Sequence, residues 1–394
     1  MNAPNPLYSW FSPQQWQSDV SALQQVLVDR PDRQAQWLGV RQPHEARAFI
    51  AGLGLDHGHT QRLMTQIELG GAFSQLTQEF AQLTLPSASP DYGGALAPTP
   101  YQVIWQDSRA QLVCYNPTGH AAVLWVPAII NKHYVLDLCP QRSVVQRQCD
   151  LGLQVFSLVW RNPLGNPEPQ HYLDTLHAAL EFLSVPVHLA GYCLGGVLAA
   201  AAVSHGANVE SLSLVASPLD GEMGELQHWF TPAQKAHTQQ CARARGCVPA
   251  GVLSAGFLSL KPRSWGGLFH QSRYPQLATW LVDGLDVSPA MWSWVTDLVY
   301  GPGGAMTAYP LAQIRVPVWS QSFDQDHLVP PQNFDCPGGV LNARAPGGHN
   351  GGLLRTQPGG WLDGWVRWMG HSQAIDVQPI QTESDYLRES GSAL

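Results

Sequence analysis

The sequence predicts an α/β protein with a mostly parallel central sheet, a helical N-terminal region and a helical insertion. Two features predict this class. Apolar stretches that suit buried strands alternate with helical patterns from residue 101 to residue 217, which is typical of a parallel sheet with right-handed crossovers. A stretch rich in Trp, Phe and Pro then interrupts the alternation, which resumes at residue 311.

The segment boundaries follow from changes in composition. Before the sheet, Ser12 suits a helix N-cap and Pro13 a first helical position, and a Pro/Gly/Ser/Ala-rich linker follows this helical region. An insertion after a central strand is how a lid is built over an α/β site. The predicted segments are a helical N-terminal region (1–84), a linker (85–100), the first part of the sheet domain (101–217), a lid insertion (218–310), the second part of the sheet domain (311–372) and a polar tail (373–394).

The elements of the sheet domain can be predicted in order. YQVIWQDS and AQLVCYNP are expected to pair as short strands around Ser108 and Arg109, and AAVLWVPAII is apolar enough to be buried on both faces. The later predicted elements are a helix over residues 138–151, the strand LQVFSLVW, a helix in EPQHYLDTLHAALEFLSV, the strand VHLAGYC, a helix after Cys193, the strands VESLSLVAS, VPVWSQSF and GVLNARAP, and a helix near GWLDGWVRWM.

Composition excludes several classes of protein. The net charge is −8 and the 394 residues include only three lysines, so we expect no nucleic-acid partner. The seven cysteines have neither the spacing of a zinc site nor that of a disulfide framework, which favours free thiols in a reducing compartment. MNAPNPLYSWF lacks the features of a signal peptide, and the apolar stretches are too short to span a bilayer. We therefore expect a soluble, cytoplasmic protein without a metal.

The stretch HLAGYCLGGVLAAAAV has the spacing of a nucleophile elbow, Gly191-x-Cys193-x-Gly195. An apolar strand precedes the cysteine and a helix follows it, as the elbow of an α/β-hydrolase fold requires. Glycines are needed because the turn brings the residues two positions on either side into contact. A buried structural cysteine is the alternative. The combination of glycines, strand and helix favours Cys193 as a nucleophile.

A nucleophile at this position predicts an acid and then a histidine later in the chain. Asp324 and Asp326 both follow a predicted strand, and His349 lies in a glycine-rich loop after the last one. Loop aspartates and histidines often only face solvent, but the order and the location here fit a base and its acid. The residues alone leave the choice between Asp324 and Asp326 open.

Several motifs in addition to the elbow resemble those of the polyhydroxyalkanoate synthases. The resemblance covers residues 99 to about 220 well and residues 314 to 370 moderately. The matching segments are TPYQVIWQDSRAQLVCYNP, VPAIINKHYVLDL, VFSLVWRNP, the box GYCLGG, DQDHLVPP and GGHNGG. DQDHLVPP resembles the acid loop of the family, and this match assigns the acid to Asp326. The N-terminal region and the insertion are shorter here than in long single-subunit synthases.

The resemblance implies an acyltransferase that moves 3-hydroxyacyl groups from coenzyme A thioesters, through a Cys193 acyl-enzyme, to a hydroxyl acceptor. Polyester and coenzyme A are the expected products. His349 would be the base, Asp326 would orient it, and the N–H groups of Leu194 and of the Ile129–Ile130 loop would bind the oxyanion. Asn131 and Asp137 would shape that loop. The alternative for Asp137 is that it only places a negative charge at the N-terminus of a helix.

The expected partners follow from this chemistry. Coenzyme A thioester is a substrate, so no cofactor is expected, and an aromatic lid would exclude water. The N-terminal helices would mediate a homodimer or bind a partner subunit, and polyester granules are a candidate location. The alternatives are a cysteine-dependent ester or lactone hydrolase, since dienelactone hydrolase also resembles GYCLGG, and a non-catalytic granule-associated relative.

Overall fold

The computed structural model describes residues 96–222, 231–250 and 275–372, with separate positions at 22, 49–53, 55, 63, 224, 226, 253 and 257. The chain divides into two compact units. One contains residues 1–94 and 249–284, and the other contains residues 95–248 and 285–394. The N-terminal helices, most of the linker and the polar tail lie almost entirely outside the described residues, so they remain predictions.

Eight strands of the described residues form one sheet in the order β1-β2-β4-β3-β5-β6-β7-β8. Strand β2 is antiparallel to both of its neighbours, and the pairs from β4 to β8 are parallel. This arrangement confirms the predicted α/β-hydrolase fold. The strands are β1 (Gln102–Gln106), β2 (Ala110–Asn116), β3 (Ala122–Val126), β4 (Gln154–Trp160), β5 (Val187–Tyr192), β6 (Ser211–Val215), β7 (Val318–Phe323) and β8 (Val340–Ala345).

Helices connect the strands and continue into the insertion. Several begin at a proline or behind a capping residue; Pro169, for example, occupies the first turn of α2 behind a capping box at Glu168. The described helices are α1 (Val144–Asp150), α2 (Pro169–Leu183), α3 (Leu194–Ser204), α4 (Pro232–Arg245), α5 (Pro275–Val282), α6 (Pro289–Ser293), α7 (His349–Leu353) and α8 (Trp361–Ser372).

The helix predicted over residues 138–151 begins later than expected. Asp137–Cys139 and Arg142–Ser143 instead form a small antiparallel hairpin. Helix α1 starts at Val144 because the Ser143 side chain caps it, accepting a hydrogen bond from the Gln146 N–H at 2.8 Å. The expectation that Asp137 begins a helix is therefore wrong, because a turn and a serine cap intervene.

The described parts of the insertion are largely helical. A π-helical turn at Trp294–Val299 directly follows α6. Side-chain hydrogen bonds join this region to α4. Trp292 Nε1 donates to Thr238 Oγ1 at 3.0 Å, and Gln239 Nε2 donates to Thr296 Oγ1 at 2.8 Å and to Asp297 Oδ2 at 2.7 Å. No helix within the described part of the chain is both long and apolar enough to cross a bilayer.

A cluster of tryptophans packs α8 against the sheet. Trp125 of β3 lies edge-on to Trp365 of α8 at 5.5 Å between ring centroids, and Trp361 stacks on Trp365 at 6.3 Å. The indole N–H of Trp365 donates to Ser213 Oγ at 2.7 Å. Because all three rings are buried, the cluster combines a large apolar area with a satisfied polar contact.

We expect Trp365→Ala to lower the free energy of unfolding by about 3–5 kcal/mol, because it opens a cavity and leaves the Ser213 hydroxyl without its donor. Trp368→Ala is the matched control, since Trp368 lies on the same helix but is only half-buried. Urea denaturation followed by circular dichroism measures both. Equal losses in the two variants would contradict a dominant role for this cluster.

Candidate active site

Cys193 lies in the turn between β5 and α3, as predicted. Its backbone has φ 54° and ψ −126°, a conformation that is strained for a residue with a side chain. Two hydrogen bonds hold the turn, from the Cys193 N–H to the Val215 carbonyl and from the Gly196 N–H to the Cys193 carbonyl, both at 2.9 Å. The neighbouring strand and the first turn of the helix thus hold Cys193 in this strained backbone conformation.

The glycines around Cys193 are required by close backbone packing. A Cβ on Gly191 would collide with Gly196, and one on Gly195 would collide with the Val126 carbonyl oxygen. Gly196 was not singled out from the sequence, although a Cβ there would collide with the Ser217 side chain beyond β6. Gly196 is the last residue of the GYCLGG box, and its place there could have indicated this close packing from the sequence.

The structure brings His349 and Asp326 together. Asp326 follows β7, His349 begins α7 after β8, and His349 Nδ1 lies 2.7 Å from Asp326 Oδ2. The other carboxylate oxygen accepts the N–H groups of Leu328 at 2.9 Å and Val329 at 3.0 Å. Asp324 is exposed. Of the two aspartates that the sequence proposed, Asp326 is therefore the one in contact with His349.

The imidazole of His349 lies near both the Asp326 carboxylate and the Cys193 side chain. Burial favours the neutral ring, but the interactions with Asp326 first and then with Cys193 outweigh it and raise the pKa of His349 to about 10. Burial likewise opposes ionisation of Asp326, yet His349 and the two amides lower its pKa below the usual value. A basic imidazole of fixed orientation therefore lies near the Cys193 side chain.

The predicted oxyanion loop, residues 127–130, follows β3 and is held from two sides. Trp160 Nε1 donates to the Pro127 carbonyl at 2.9 Å, and the Leu285 N–H donates to the Ile130 carbonyl at 3.0 Å. A Cβ on Gly195 would lie 2.6 Å from the Pro127 oxygen, so the first turn of α3 abuts the start of this loop. Leu194, Ile129 and Ile130 are buried there; their role as oxyanion donors remains a prediction.

Asn131 and Asp137 have different positions. Asn131 directly follows the oxyanion loop and is half-buried. Asp137 is fully buried, and its oxygens accept hydrogen bonds from the N–H and hydroxyl of Thr99, both at 2.9 Å, and from the Ser143 hydroxyl at 2.6 Å. Its hydrogen bonds therefore tie the segment before β1 to the hairpin, and they do not reach Cys193 or His349.

The segment WRNPLGNP, which has no chemical role predicted from the sequence, anchors the part of the insertion around residues 285–290. Asn162 Oδ1 accepts the Asp286 N–H at 3.0 Å, and Asn166 Oδ1 accepts the Ala290 N–H at 2.9 Å. Leu285, next to Asp286, holds the oxyanion loop. The asparagines thus support the loop indirectly.

Two tyrosines near the site were missed in the sequence. For both Tyr192 and Tyr300, burial and then the charges of Cys193 and Asp326 raise the phenol pKa well above its usual value. Tyr192 belongs to the GYCLGG box, which could have indicated it. Tyr300 follows the π-helical turn of the insertion, and no sequence pattern pointed to it. Among the described residues, no group of three His, Cys, Asp or Glu side chains is placed to hold a metal.

We expect Gly195→Ala to destabilise the fold by about 1–3 kcal/mol, because the added methyl group has no space against β3. Gly370→Ala is the control. It lies in α8 with open space around it, so it should be neutral or slightly stabilising. Thermal unfolding compares the two, and a Gly195→Ala protein as stable as Gly370→Ala would contradict the close approach.

Stability should depend on pH through His349. Because its pKa is raised from 6.5 to about 10, the charged ring stabilises the folded state fully below pH 6.5, and this contribution disappears as the pH rises to 10. Asp326→Asn removes the main partner that raises this pKa. The variant should therefore be most destabilised at pH 6.5 and progressively less so towards pH 10, as measured by urea denaturation. The exposed Asp324→Asn should show no such trend.

Comparison with known proteins supports the sequence motifs. Residues 75–147 match the family model described as the N-terminus of poly-beta-hydroxybutyrate polymerase (PhaC). The poly(3-hydroxyalkanoate) polymerase subunit PhaC of Haloferax mediterranei is 26% identical over 270 residues, covering 59% of this chain and 55% of the relative. For the subunit from Cupriavidus necator, the identity is 26% over 288 residues, with 61% and 48% covered. The chain thus spans about half the length of the curated relatives it matches.

A shorter match is closer in sequence. Poly(3-hydroxyalkanoate) polymerase 2 of Ectopseudomonas oleovorans is 35% identical over 131 residues, covering 29% of this chain and 23% of the relative. A solved thermophilic esterase from Thermogutta terrifontis has a TM-score of 0.49 and 14% identity, covering 69% of this chain and 97% of the esterase. The resemblance to polyhydroxyalkanoate synthases is confirmed: the chain is similar in sequence to poly(3-hydroxyalkanoate) polymerases, and its sheet has the strand order of an α/β-hydrolase fold.

Proposed function

We propose that this chain is an acyltransferase that builds polyester from 3-hydroxyacyl coenzyme A thioesters, with Cys193 as nucleophile, His349 as base and Asp326 as its orienting acid. The observation that carries the proposal is the position of Cys193 at the elbow, near a histidine whose Nδ1 lies 2.7 Å from Asp326 Oδ2. The relatives named as poly(3-hydroxyalkanoate) polymerases supply the substrate class.

In the first step, His349 accepts the thiol proton of Cys193, and Cys193 Sγ then attacks the thioester carbonyl carbon. The oxyanion that forms is bound by the N–H of Leu194 and by an N–H of the Ile129–Ile130 loop, and one such donor typically lowers the barrier by about 3 kcal/mol. The bond from carbon to the coenzyme A sulfur then breaks, and His349 returns the proton to that sulfur. One thioester is exchanged for another, so the acyl group remains activated.

In the second step, His349 deprotonates the 3-hydroxyl group of an acceptor chain or monomer. The hydroxyl oxygen attacks the acyl-cysteine carbonyl, the bond to Cys193 Sγ breaks, and the proton passes through His349 back to the sulfur. The product is an oxoester one unit longer. A serine nucleophile would form an ester and lose the activation of the thioester before this step, which is the chemical reason for cysteine at this position.

Water must be excluded from the acyl-enzyme, since it would release a free acid. The aromatic insertion suits this role as a lid. Its Tyr300 lies near the site, since Cys193 and Asp326 contribute to the raised pKa of this tyrosine. No cofactor is needed for either step. The names of the relatives as polymerase subunits support a partner subunit or a homodimer, and a polyester product supports association with granules.

Incubation of the protein with 3-hydroxybutyryl coenzyme A tests the proposal. Coenzyme A release is followed by chromatography, chloroform-soluble polyester by extraction, and free 3-hydroxybutyrate in the aqueous phase. Coenzyme A together with polyester supports the proposal. Coenzyme A with free acid and no polyester would indicate a thioester hydrolase. Release of neither product, with Cys193 inert to iodoacetamide, would indicate a non-catalytic relative.

Cys193→Ala should abolish turnover, and Cys193→Ser should retain at most weak activity, because its hydroxyl is a poorer nucleophile and its ester intermediate is less activated. Asp326→Asn should lower turnover by roughly 10²–10⁴-fold, since the ring loses its orientation and its charged form loses a partner. Cys241→Ala on α4 and Asp324→Asn are the matched controls and should stay near wild type. Near-normal turnover by Cys193→Ser would contradict the thioester-exchange argument.

A further inference from the structure

We propose that Tyr192 and Asn350 form a positioning pair that holds the His349 imidazole in place against Cys193. Neither residue touches the reacting atoms in this proposal; both act through His349. The inference rests on the proposed function, because it assumes that His349 serves as the base for Cys193.

The geometry of the pair links the nucleophile strand directly to the histidine. Tyr192 is the last residue of β5 and precedes Cys193, while Asn350 follows His349 on α7. Tyr192 Oη donates a hydrogen bond to Asn350 Oδ1 at 2.7 Å, with a longer contact of 3.4 Å to the His349 carbonyl. The tyrosine ring also packs against the imidazole, at 5.1 Å between ring centroids and a tilt of 37°.

His349 needs a further contact to fix its position, because the helix that carries it is short and the flanking glycines allow many backbone conformations. His349 and Asn350 lie between the pairs Gly347–Gly348 and Gly351–Gly352, and α7 contains only five residues. The hydrogen bond to Asp326 fixes the rotation of the ring. A bond from Tyr192 to the next residue fixes the position of the backbone that carries the ring, and it does so from the residue adjacent to the nucleophile.

A role in core packing alone does not explain why residue 192 carries a hydroxyl group. A phenylalanine would fill the same space between the sheet and α7 and would keep the ring contact with His349. The buried hydroxyl donates to the Asn350 carbonyl oxygen at 2.7 Å, and a phenylalanine would leave that oxygen without this donor. This hydrogen bond holds one relative position of β5 and α7.

The test compares Tyr192→Phe, Asn350→Leu and the double variant with the wild type. Each single variant should lower kcat for 3-hydroxybutyryl coenzyme A by about 10- to 100-fold with little change in KM, because the misplaced base affects the chemical step. The double variant should be no worse than the poorer single variant, since both changes break the same bond. Tyr172→Phe is the matched control, a buried tyrosine on α2 that packs edge-on against Trp160.

A second readout needs no substrate turnover. The alkylation rate of Cys193 by iodoacetamide, resolved from the other cysteines by peptide mass spectrometry, is measured against pH for each variant. Tyr192→Phe should slow alkylation at neutral pH and move the midpoint of the profile upwards, because the imidazole no longer sits correctly against the thiol. A change that only weakened core packing would lower the unfolding temperature without moving this profile.

The outcomes separate the pair from the proposed function. An unchanged alkylation profile in Tyr192→Phe, an equal effect in Tyr172→Phe, or additive losses in the double variant would overturn the positioning role. Absence of wild-type turnover would overturn the proposed function and leave the alkylation result to decide on the pair. Tyr192→Phe preserves shape and volume, so it decides the matter alone if Asn350→Leu does not fold.

Discussion

The close approach of three backbone segments at Cys193 is the constraint on which the site depends. The first turn of α3 lies directly against the end of β3 and the residue Ser217 beyond β6, with glycines at 195 and 196 because no side chain fits. Cys193 is held at φ 54° by hydrogen bonds to both sides of this junction. The thiol and the start of the oxyanion loop are thereby brought together by the same packing, so a change at either glycine disturbs both.

Electrostatics then determine what the thiol can do. His349 is buried near Asp326 and Cys193, and its imidazole gains more from these neighbours than it loses through desolvation. Asp326 remains a carboxylate because it also accepts two backbone N–H groups. An imidazole of defined orientation thus lies near the Cys193 sulfur, as the acyl transfer proposed above requires.

A second layer of polar contacts supports these groups from outside. Trp160 and Leu285 hold the oxyanion loop by its carbonyls, and Asn162 holds the residue next to Leu285. Tyr192 and Asn350 connect the nucleophile strand to the histidine helix. Each contact uses a buried or half-buried donor with a specific acceptor, so this layer determines position more than it adds stability. Through Leu285, it also links the insertion to the loop that is proposed to bind the oxyanion.

The sequence by itself determined the strands and the glycine-rich turn at Cys193, because apolar alternation and glycine spacing are local properties of the chain. The predicted start of one helix was wrong, because residues 137–143 form a hairpin and Ser143 caps the helix at a later position. The choice of Asp326 over Asp324 depended on the resemblance of DQDHLVPP to a family motif, because both aspartates satisfy the same local pattern. The partners of Asp137, the anchoring by Asn162 and the contact between Tyr192 and Asn350 were decided only by the tertiary structure. These contacts join residues 38, 124 and 158 positions apart, and nothing in the composition of one segment specifies which distant polar group will satisfy it.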